Sequence, residues 1–467
     1  MKVHLSAVCG TAMASLAGLL RARGHDVTGS DQDVYPPMST QLEALGIAVR
    51  SPYAAGNVPE DADLVVIGNA LSRGNPEVEA VLDRRQRYVS LPALVADEFL
   101  RERRSLVVAG THGKTTTTSL LAFLLDEAGL APSFLVGGIP LDFGQSYRLG
   151  AGRHFVIEGD EYDSAFFDKR PKFVHYLPTT AVIGNVEFDH ADIYPDLGAV
   201  QAAFVRLLQV IPASGLLVAG HESPALAAIL KQARCRVETF GLAAGADWRA
   251  ADVRPRGLGS RFRLLRRERD LGDFELPLAG EHNVRNALAA LAVAAEAGVE
   301  PAALRGALAR FRGVKRRLEE RGQARGVTVY DDFAHHPTAV AATLQALRSA
   351  GGAGRLVAVF EPRSYTSRTR AFQEGFARAF AAADRVFVAA AHLPGKVPEG
   401  QRLSEAELVA AIRDFGTDAV FLPGVDAIVE ALAAELRAGD RVAILSNGGF
   451  GAIHEKLLQA LGSGAGD

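Results

Sequence analysis

The chain has 467 residues, of which 48% are hydrophobic and 22% are charged. At roughly 100 to 200 residues per domain, this length predicts about three domains. The 51 basic and 54 acidic residues give a formal net charge of -3, which is not the charge of a dedicated nucleic-acid-binding protein. We therefore predict no nucleic-acid partner, and we expect any bound anion to be held at a local site.

Cysteine content and hydropathy limit the cellular context. The two cysteines, Cys9 and Cys235, can build neither a disulfide framework nor a four-cysteine zinc site, which favours a reducing, cytoplasmic location. No run reaches 18 uninterrupted apolar residues, so we predict no membrane insertion. The segment 2–20 resembles a secretory signal, but a strand at 3–8, a glycine turn and a helix explain more of its residues.

Short β-branched runs alternate with alanine- and leucine-rich stretches, a pattern typical of parallel α/β sheets. The predicted strands lie at residues 3–8, 27–30, 64–67, 106–109, 155–157, 181–184, 327–330, 356–360, 386–389 and 442–445. Segments 261–266 and 274–278 predict short antiparallel strands added to the middle domain. Charged runs at 101–104 and 312–321 interrupt the alternation, so the predicted domains are 1–104, 105–313 and 314–467.

The clearest motif joins a predicted strand, a glycine turn and an apolar helix. After the strand at 106–109 the chain reads Gly110, Thr111, His112, Gly113, Lys114, Thr115 and Thr116. Such glycines let backbone N–H groups approach phosphate oxygens, while Lys114 supplies a point charge and Thr115 a hydroxyl for Mg²⁺. The first glycine lies three residues before Gly113, which differs from the general P-loop spacing. The order of these parts favours a phosphate-binding loop over an ordinary glycine turn.

Two acidic motifs follow predicted strands, where open α/β sheets form their ligand crevices. Glu158 ends the strand at 155–157, and we predict it as a Mg²⁺ ligand because hard oxygen donors suit that ion. A solvated acidic loop is the alternative. His190 lies between Asp189 and Asp192 after the strand at 181–184, where an acidic neighbour could orient it as a metal ligand or base. A structural histidine explains this motif equally well on its own.

A third polar group surrounds the predicted second domain boundary. Asn283 and Asn286 lie three residues apart near a helix start, so they share one helical face. Helix capping by Asn283 is the alternative interpretation. Arg316 and Arg317 precede the strand at 327–330, and Asp332 follows it.

The first strand and helix are joined by Cys9, Gly10, Thr11, Ala12 and Met13. Asp31 lies 21 residues after Gly10, close to the spacing of a dinucleotide fingerprint. Val8 and Met13, however, occupy the positions of the outer glycines of that fingerprint, which disfavours a nicotinamide enzyme. We predict instead a nucleotide diphosphate at the helix N-terminus.

In chain order, the motifs at residues 110–115, 185–190, 280–286 and 331–337 resemble those of the Mur ligase family across the whole chain. The resemblance implies an α/β protein of three domains. The first would be dinucleotide-fold-like and bind a UDP-sugar, the second a P-loop ATPase with a mostly parallel sheet, and the third again dinucleotide-fold-like.

The resemblance also implies roles for residues at matching positions. Lys114, Glu158 and His190 would be catalytic. Thr115 and Glu158 would bind one Mg²⁺, and His190 would serve a second. The residues that contact ATP would be Gly110, Thr111, His112, Gly113, Lys114, Thr115, Thr116, Asn283, Asn286, Arg317 and Asp332. Those that contact the UDP-sugar would be Cys9, Gly10, Thr11, Ala12, Met13, Asp31, Asn69 and Arg73.

Within the family, the segments 9–13, 29–31, 35–39, 68–76, 161–170 and 446–451 look most like the branch that acts in peptidoglycan recycling. That branch uses ATP and an acyl phosphate to join UDP-N-acetylmuramate to the tripeptide L-Ala-γ-D-Glu-meso-diaminopimelate. No lysine occurs between His190 and Lys231, where several amino-acid-adding members have a carbamylated lysine. Arg363 and Ser364 replace a His-Arg pair of the L-alanine-adding members, so Arg363 is the predicted peptide contact. Addition of L-alanine and a regulatory ATPase are the alternatives.

Overall fold

The computed structural model describes residues 1–34 and 38–463, so residues 35–37 of the 35–39 motif and residues 464–467 lie outside it. The described residues form sheets of five, ten and six strands and a separate two-stranded hairpin. None of their helices has the length and apolar content needed to cross a bilayer.

The first sheet is wholly parallel, with strand order 3-2-1-4-5, the order of the first five strands of the dinucleotide-binding fold. Its elements are β1 (Lys2–Ser6), α1 (Thr11–Ala22), β2 (Asp26–Ser30), α2 (Met38–Ala44), β3 (Val49–Arg50), β4 (Leu64–Ile67), α3 (Pro76–Asp83), β5 (Tyr88–Ser90) and α4 (Leu91–Val95). β1 lies at the centre of the sheet, and Leu5, Leu16 and Leu19 are fully buried. Segment 2–20 is thus an integral strand and helix, as the pattern of its residues favoured.

The second sheet is parallel except at its two ends, where β7 pairs with β8 and where β15, β16 and β17 form an antiparallel meander. Its strands are β6 (Arg104–Ala109), β7 (Ser133–Leu135), β8 (Tyr147–Arg148), β9 (His154–Glu158), β12 (Pro178–Ile183), β13 (Leu216–Gly220), β14 (Arg236–Gly241), β15 (Trp248–Arg256), β16 (Gly259–Arg266) and β17 (Arg269–Leu276). β10 (Asp163–Ala165) and β11 (Asp168–Pro171) form the separate hairpin. The helices are α5 (Lys114–Glu127), α6 (Leu197–Val210), α7 (Pro224–Ala227), α8 (Glu281–Glu296) and α9 (Pro301–Leu308).

One face of the second sheet packs on α5 and α8, and the other packs on α6 and on the first sheet's helices. The alanine-rich α8 has small side chains, so it approaches α5 closely and is buried on most sides. α1 packs on β8 so tightly that a Cβ at Gly18 would lie 2.0 Å from the Tyr147 ring. The first two sheets therefore share one continuous apolar core.

The third sheet has strand order 18-19-23-20-21-22, and only β18 runs antiparallel. Its elements are β18 (Glu319–Ala324), β19 (Val327–Asp332), α10 (Pro337–Ser349), β20 (Leu356–Phe360), α11 (Gln373–Ala379), β21 (Arg385–Val388), α12 (Glu405–Asp414), β22 (Asp418–Phe421), α13 (Val425–Glu435), β23 (Arg441–Leu445) and α14 (Ile453–Ser463). Helices α10 to α12 cover one face and α13 and α14 the other, which is a doubly wound arrangement.

The strand predictions are confirmed to within a few residues. β4 and β20 coincide with their predicted ranges, and the antiparallel pair at 261–266 and 274–278 is present as β16 and β17. The first strand is shorter than the predicted 3–8 because Ala7 has a φ of 70°, which turns the chain after Ser6. The domain boundaries near 104 and 313 stay predictions.

Candidate functional site

A cleft of about 1410 Å³ opens where β6, β9 and β12 end, and residues of the third sheet close its far side. The carboxyl ends of parallel strands form the ligand crevice in open α/β sheets. Predicted residues from distant parts of the chain line this cleft: Thr111, His112, Gly113, Lys114, Thr115, Thr116, Glu158, His190, Asn283, Asn286, Arg317 and Asp332. The fold therefore brings most of the predicted nucleotide and metal residues together.

The glycine loop after β6 adopts backbone conformations that favour glycine. Gly110 and Gly113 have φ angles of 133° and 80°, in the region that side chains disfavour, and Gly113 caps α5. A Cβ at Gly113 would lie 2.3 Å from Asn286 Oδ1, so the loop packs directly on α8. The backbone N–H groups of Thr111 and His112 donate to the carbonyl and side-chain oxygens of Asn185, which fixes the loop from β12.

Lys114 makes a buried ion pair. Its Nζ lies 2.8 and 3.0 Å from the carboxylate oxygens of Glu161 and 2.7 Å from the Gly110 carbonyl oxygen. Burial alone would lower the pKa of Lys114, but Glu161 and Asp160 raise it above its usual value. Lys114 is therefore charged at neutral pH, and Glu161 compensates its charge.

Thr115 and Glu158 place two hard oxygen donors side by side. The Thr115 hydroxyl donates to Glu158 Oε1 at 3.1 Å, and Gly137 N–H donates to Glu158 Oε2 at 2.8 Å. Burial raises the pKa of Glu158, against the effects of Gly137 and Lys114. A hydroxyl and a carboxylate beside a phosphate loop fit the ligand preference of Mg²⁺.

His190 lies across Glu161 from Lys114. Its Nε2 is 3.0 Å from Glu161 Oε1, and its ring packs edge-on against Tyr162. Burial alone would lower the pKa of His190, but Glu161 and Asp189 raise it. An imidazole nitrogen next to a carboxylate can contribute to a metal site, provided that the pair releases its shared proton.

Asn283 and Asn286 lie on the same face of α8, as their spacing predicts. Asn286 Nδ2 donates to Asn283 Oδ1 at 3.2 Å, and Asn283 Nδ2 donates to the Ala279 carbonyl at 2.8 Å. The alternative that Asn283 caps the helix is wrong, because α8 begins at Glu281 and Gly280 is its N-cap.

The two arginines near the domain boundary have different partners. Arg317 Nη2 donates to Thr115 Oγ1 at 3.2 Å, so it reaches from just before β18, in the part of the chain that forms the third sheet (here called the third-sheet region), to the first turn of α5. Arg316 instead donates to the carbonyl oxygens of Ser446 and Gly448. Asp332 is buried and accepts from the Leu318 and Ala334 N–H groups, which holds the chain around Arg317. Burial raises the pKa of Asp332, and Arg317 opposes this effect.

The predicted UDP-sugar residues lie outside this cleft, at the end of the first sheet. Asp31 accepts from the Cys9 N–H at 2.7 Å and from the Tyr53 hydroxyl at 3.0 Å. Gly10 caps α1, whose first residues are Thr11, Ala12 and Met13. Asn69 is exposed, and the exposed Arg73 pairs with Glu79.

Arg363 is also absent from the cleft lining, although the following Ser364 and Tyr365 line it. A Cβ at Gly448 would lie 2.0 Å from Arg363 Nε, so the guanidinium crosses the 446–449 turn only because residue 448 is glycine. Its Nη1 is 3.6 Å from Glu361 Oε1.

Sequence reasoning missed Glu161 and Glu187 as site residues. Glu161 lies in an acidic run, and no spacing in the sequence indicates that it, rather than the adjacent Asp160, contacts Lys114. Glu187, His112 and His336 bring potential ligand atoms within 4.8 Å of one another. However, His336 Nδ1 already accepts from the Thr338 N–H, and Glu187 Oε2 accepts from the Thr338 hydroxyl. These bonds explain the cluster as an interdomain contact.

Comparison with known proteins decides the family. Residues 2–103 match the Mur ligase family catalytic domain, 108–294 the Mur ligase middle domain, and 316–448 the Mur ligase glutamate ligase domain. The chain belongs to the Mur ligase family. The expected α/β fold of three Mur ligase domains is thereby confirmed, and the chain is an ATP-dependent ligase of this family.

Two relatives and one solved structure show how close the likeness to other Mur ligases is. The UDP-N-acetylmuramate–L-alanyl-γ-D-glutamyl-meso-2,6-diaminoheptandioate ligase of Escherichia coli is 44% identical, over 99% of this chain and 98% of the relative. The UDP-N-acetylmuramate–L-alanine ligase of Solibacter usitatus is 37% identical, over 98% and 95%. A crystal structure of a murein peptide ligase from Psychrobacter arcticus has a TM-score of 0.75 and 37% identity, over 99% of both chains.

Proposed function

We propose that this Mur ligase joins the lactyl carboxylate of UDP-N-acetylmuramate to the α-amine of L-Ala-γ-D-Glu-meso-diaminopimelate, with conversion of ATP to ADP and phosphate. The full-length likeness to the Escherichia coli ligase carries the proposal, since its 44% identity exceeds the 37% found with the L-alanine ligase. The proposal includes a cytoplasmic location and a role in peptidoglycan recycling.

The reaction needs an activated carboxylate, because an oxide is too poor a leaving group for direct attack by an amine. In the first step a lactyl carboxylate oxygen attacks the γ-phosphorus, the bond to the β–γ bridging oxygen breaks, and ADP leaves. The product is an acyl phosphate. The tripeptide nitrogen then attacks the acyl carbon, the carbon–oxygen bond to phosphate breaks, and the nitrogen loses a proton.

Lys114 and Arg317 are the cations that would face the ATP phosphates. The buried Lys114 ammonium lies at the N-terminus of α5, where it would neutralise charge on the transferring phosphoryl group. Arg317 reaches the same loop from the third-sheet region, so its contact with the nucleotide would depend on domain docking. Asn283, Asn286 and Asp332 would bind other parts of ATP.

Thr115 and Glu158 would hold one Mg²⁺, and His190, next to Glu161, would serve a second. When bound, such ions supply positive charge that offsets the charge of the phosphate oxygens. The donor set supports this assignment, since Thr115 and Glu158 offer hard oxygens at the end of the phosphate loop.

The amine of the tripeptide must be neutral to attack. An α-amine has a pKa of about 7.7 to 8.0, so a minor fraction is neutral at pH 7. His190 shares its Nε2 with Glu161 and would ligate metal, so it is not the base in this proposal. Closure of the three domains would exclude water from the acyl phosphate until the amine arrives.

The proposal is tested by phosphate release from ATP, Mg²⁺ and UDP-N-acetylmuramate, with added tripeptide or added L-alanine at equal concentration. We expect release that depends on the tripeptide, together with a UDP-linked amide of the matching mass. Release driven by L-alanine alone would identify an L-alanine ligase. Release that neither amine changes would identify a regulatory ATPase.

A further inference from the structure

Residues 187–190, here called the DH segment, connect the phosphate loop with the third-sheet region. The segment follows β12, and each of its first three residues touches that region. Glu187 accepts from Thr338, Phe188 stacks on Phe372 with ring centroids 5.5 Å apart, and Asp189 accepts from Thr366. Of these three contacts, only the one between Thr366 and Asp189 involves a side chain that is itself bonded to His190.

The backbone at His190 has a φ of 55°, which a side-chain-bearing residue rarely adopts. This conformation needs support from its surroundings. Asp189 Oδ1 provides it by accepting the His190 N–H at 2.7 Å, while Glu161 Oε1 holds the ring at 3.0 Å from Nε2. The position of the imidazole therefore depends on how the Asp189 carboxylate is oriented.

The Asp189 carboxylate is in turn held from the other side of the cleft. The same Oδ1 accepts from the Thr366 hydroxyl at 2.6 Å, and both residues are buried, with exposures of 4% and 2%. Thr366 lies in the short helical turn Thr366–Arg368 that follows β20. A buried hydrogen bond to a carboxylate is strong and directional, so this bond fixes the rotamer of Asp189.

We infer that Thr366 is a positioning residue: docking of the third-sheet region places its hydroxyl on Asp189, and Asp189 then holds His190 in the left-handed conformation in which it lines the cleft and would bind metal. The inference rests on the proposed role of His190 as a Mg²⁺ ligand. It means that the His190 metal position is complete only when the C-terminal region is docked. Groups that support a ligand in this way commonly change metal affinity by about 10- to 100-fold.

The test measures Mn²⁺ binding to the full chain by electron paramagnetic resonance, in the presence of a non-hydrolysable ATP analogue and UDP-N-acetylmuramate. We expect the wild-type chain to bind two Mn²⁺, one more tightly than the other. In Thr366→Val, which lacks the hydroxyl but keeps the shape of the side chain, the less tightly bound Mn²⁺ should bind about 10-fold more weakly. Thr366→Ser restores the donor and should restore the affinity. Binding of the tighter ion and the KM for ATP should stay unchanged in both variants.

Thr338→Val is the matched control, because it removes another hydroxyl that donates to the DH segment but not to Asp189. Equal weakening of Mn²⁺ binding in Thr338→Val and Thr366→Val would show general loss of docking and overturn the inference. Wild-type affinity in Thr366→Val would also overturn it, with the proposed function intact. If His190→Ala still binds two Mn²⁺, the metal role of His190 is wrong, and the inference fails with that part of the proposed function.

Discussion

Lys114 and Glu161 show how single residues in the cleft combine stability with chemistry. The side chains of the pair are 13% and 2% exposed, so removal of Lys114 leaves the buried Glu161 carboxylate with only His190 beside it to compensate its charge. Activity and stability would therefore respond together to a change at either residue, and the two effects must be separated by experiment.

For Lys114→Ala we expect loss of ligation by a factor of about 100 or more, since a preorganised charge at the phosphoryl group is removed. Melting temperature should also fall, because the buried Glu161 carboxylate loses the stronger of its two cationic neighbours, Lys114, and keeps only His190. In the double variant Lys114→Ala with Glu161→Gln, the melting temperature should recover while ligation stays lost. Lys456→Ala changes an exposed lysine and is the control. Turnover retained in Lys114→Ala would refute its catalytic role.

Arg363 and Gly448 depend on each other, because a side chain at residue 448 would occupy the space of the Arg363 guanidinium. If Arg363 binds a peptide carboxylate, Arg363→Met should raise the KM for the tripeptide roughly 10-fold, because a hydrogen bond to a charged group is lost. The KM for UDP-N-acetylmuramate should change little. Gly448→Ala should act in the same direction by displacing Arg363. Arg370→Ala alters an exposed arginine and is the control. Equal KM values for the tripeptide in all variants would exclude the contact.

At the scale of elements, Glu77 joins α3 to two strands of the first sheet. Its carboxylate accepts from Ser6 at the end of β1, from Ser30 at the end of β2, and from Asn57. Burial alone would raise the pKa of Glu77, but His4 and the hydroxyl donors lower it from 4.5 to about 2. The charged carboxylate thus holds together the loops that carry the predicted UDP-sugar residues.

Because the pKa of Glu77 is lower in the folded state, its stabilising effect is complete above pH 4.5 and is lost as pH falls toward 2. We expect Glu77→Gln to reduce the free energy of unfolding by roughly 2 to 3 kcal/mol at pH 7 and by about half of that or less at pH 3. Urea unfolding at both pH values measures the difference. Glu60→Gln, at an exposed position, is the control. If the difference in the free energy of unfolding between wild type and Glu77→Gln is the same at both pH values, the charge of Glu77 does not contribute to stability.

At the scale of the whole molecule, the cleft exists only because separate α/β units meet. The first two units share a continuous core, whereas the third meets the second through side chains around the DH segment, through Arg317 and through contact of α10 with α8. Phe372 is central to this contact, since its ring stacks on Phe188 and meets the His336 ring at a centroid distance of 5.4 Å. Burial and nearby His112 lower the pKa of His336 to about 4, so this contact is uncharged at neutral pH.

We expect Phe372→Ala to loosen docking and admit water to the acyl phosphate. The phosphate released per amide formed should then rise above the wild-type ratio, because part of the intermediate is hydrolysed. Both products are measured in the same reaction. Phe415→Ala removes an exposed phenylalanine from the same region and should leave the ratio unchanged. An unchanged ratio in Phe372→Ala would show that docking does not protect the intermediate.

The sequence by itself determined the α/β class, twelve of the 23 strands that the structure describes and the glycine loop before α5. These features depend on local hydrophobic periodicity and on residues such as Gly113 and Lys114 that are adjacent in the chain. Asn283 and Asn286 were likewise predictable as a pair, because three-residue spacing fixes their common helical face.

Only the tertiary structure decided which charges meet. Glu161 pairs with Lys114 across 47 positions, and Thr366 reaches Asp189 across 177 positions. No local pattern marks such partners, since their proximity follows from sheet topology and domain docking. The same reason explains why Arg316 turns to the 446–448 loop while its neighbour Arg317 reaches the phosphate loop. Local chemistry specifies the parts, whereas packing of distant apolar surfaces determines how they are assembled into a site.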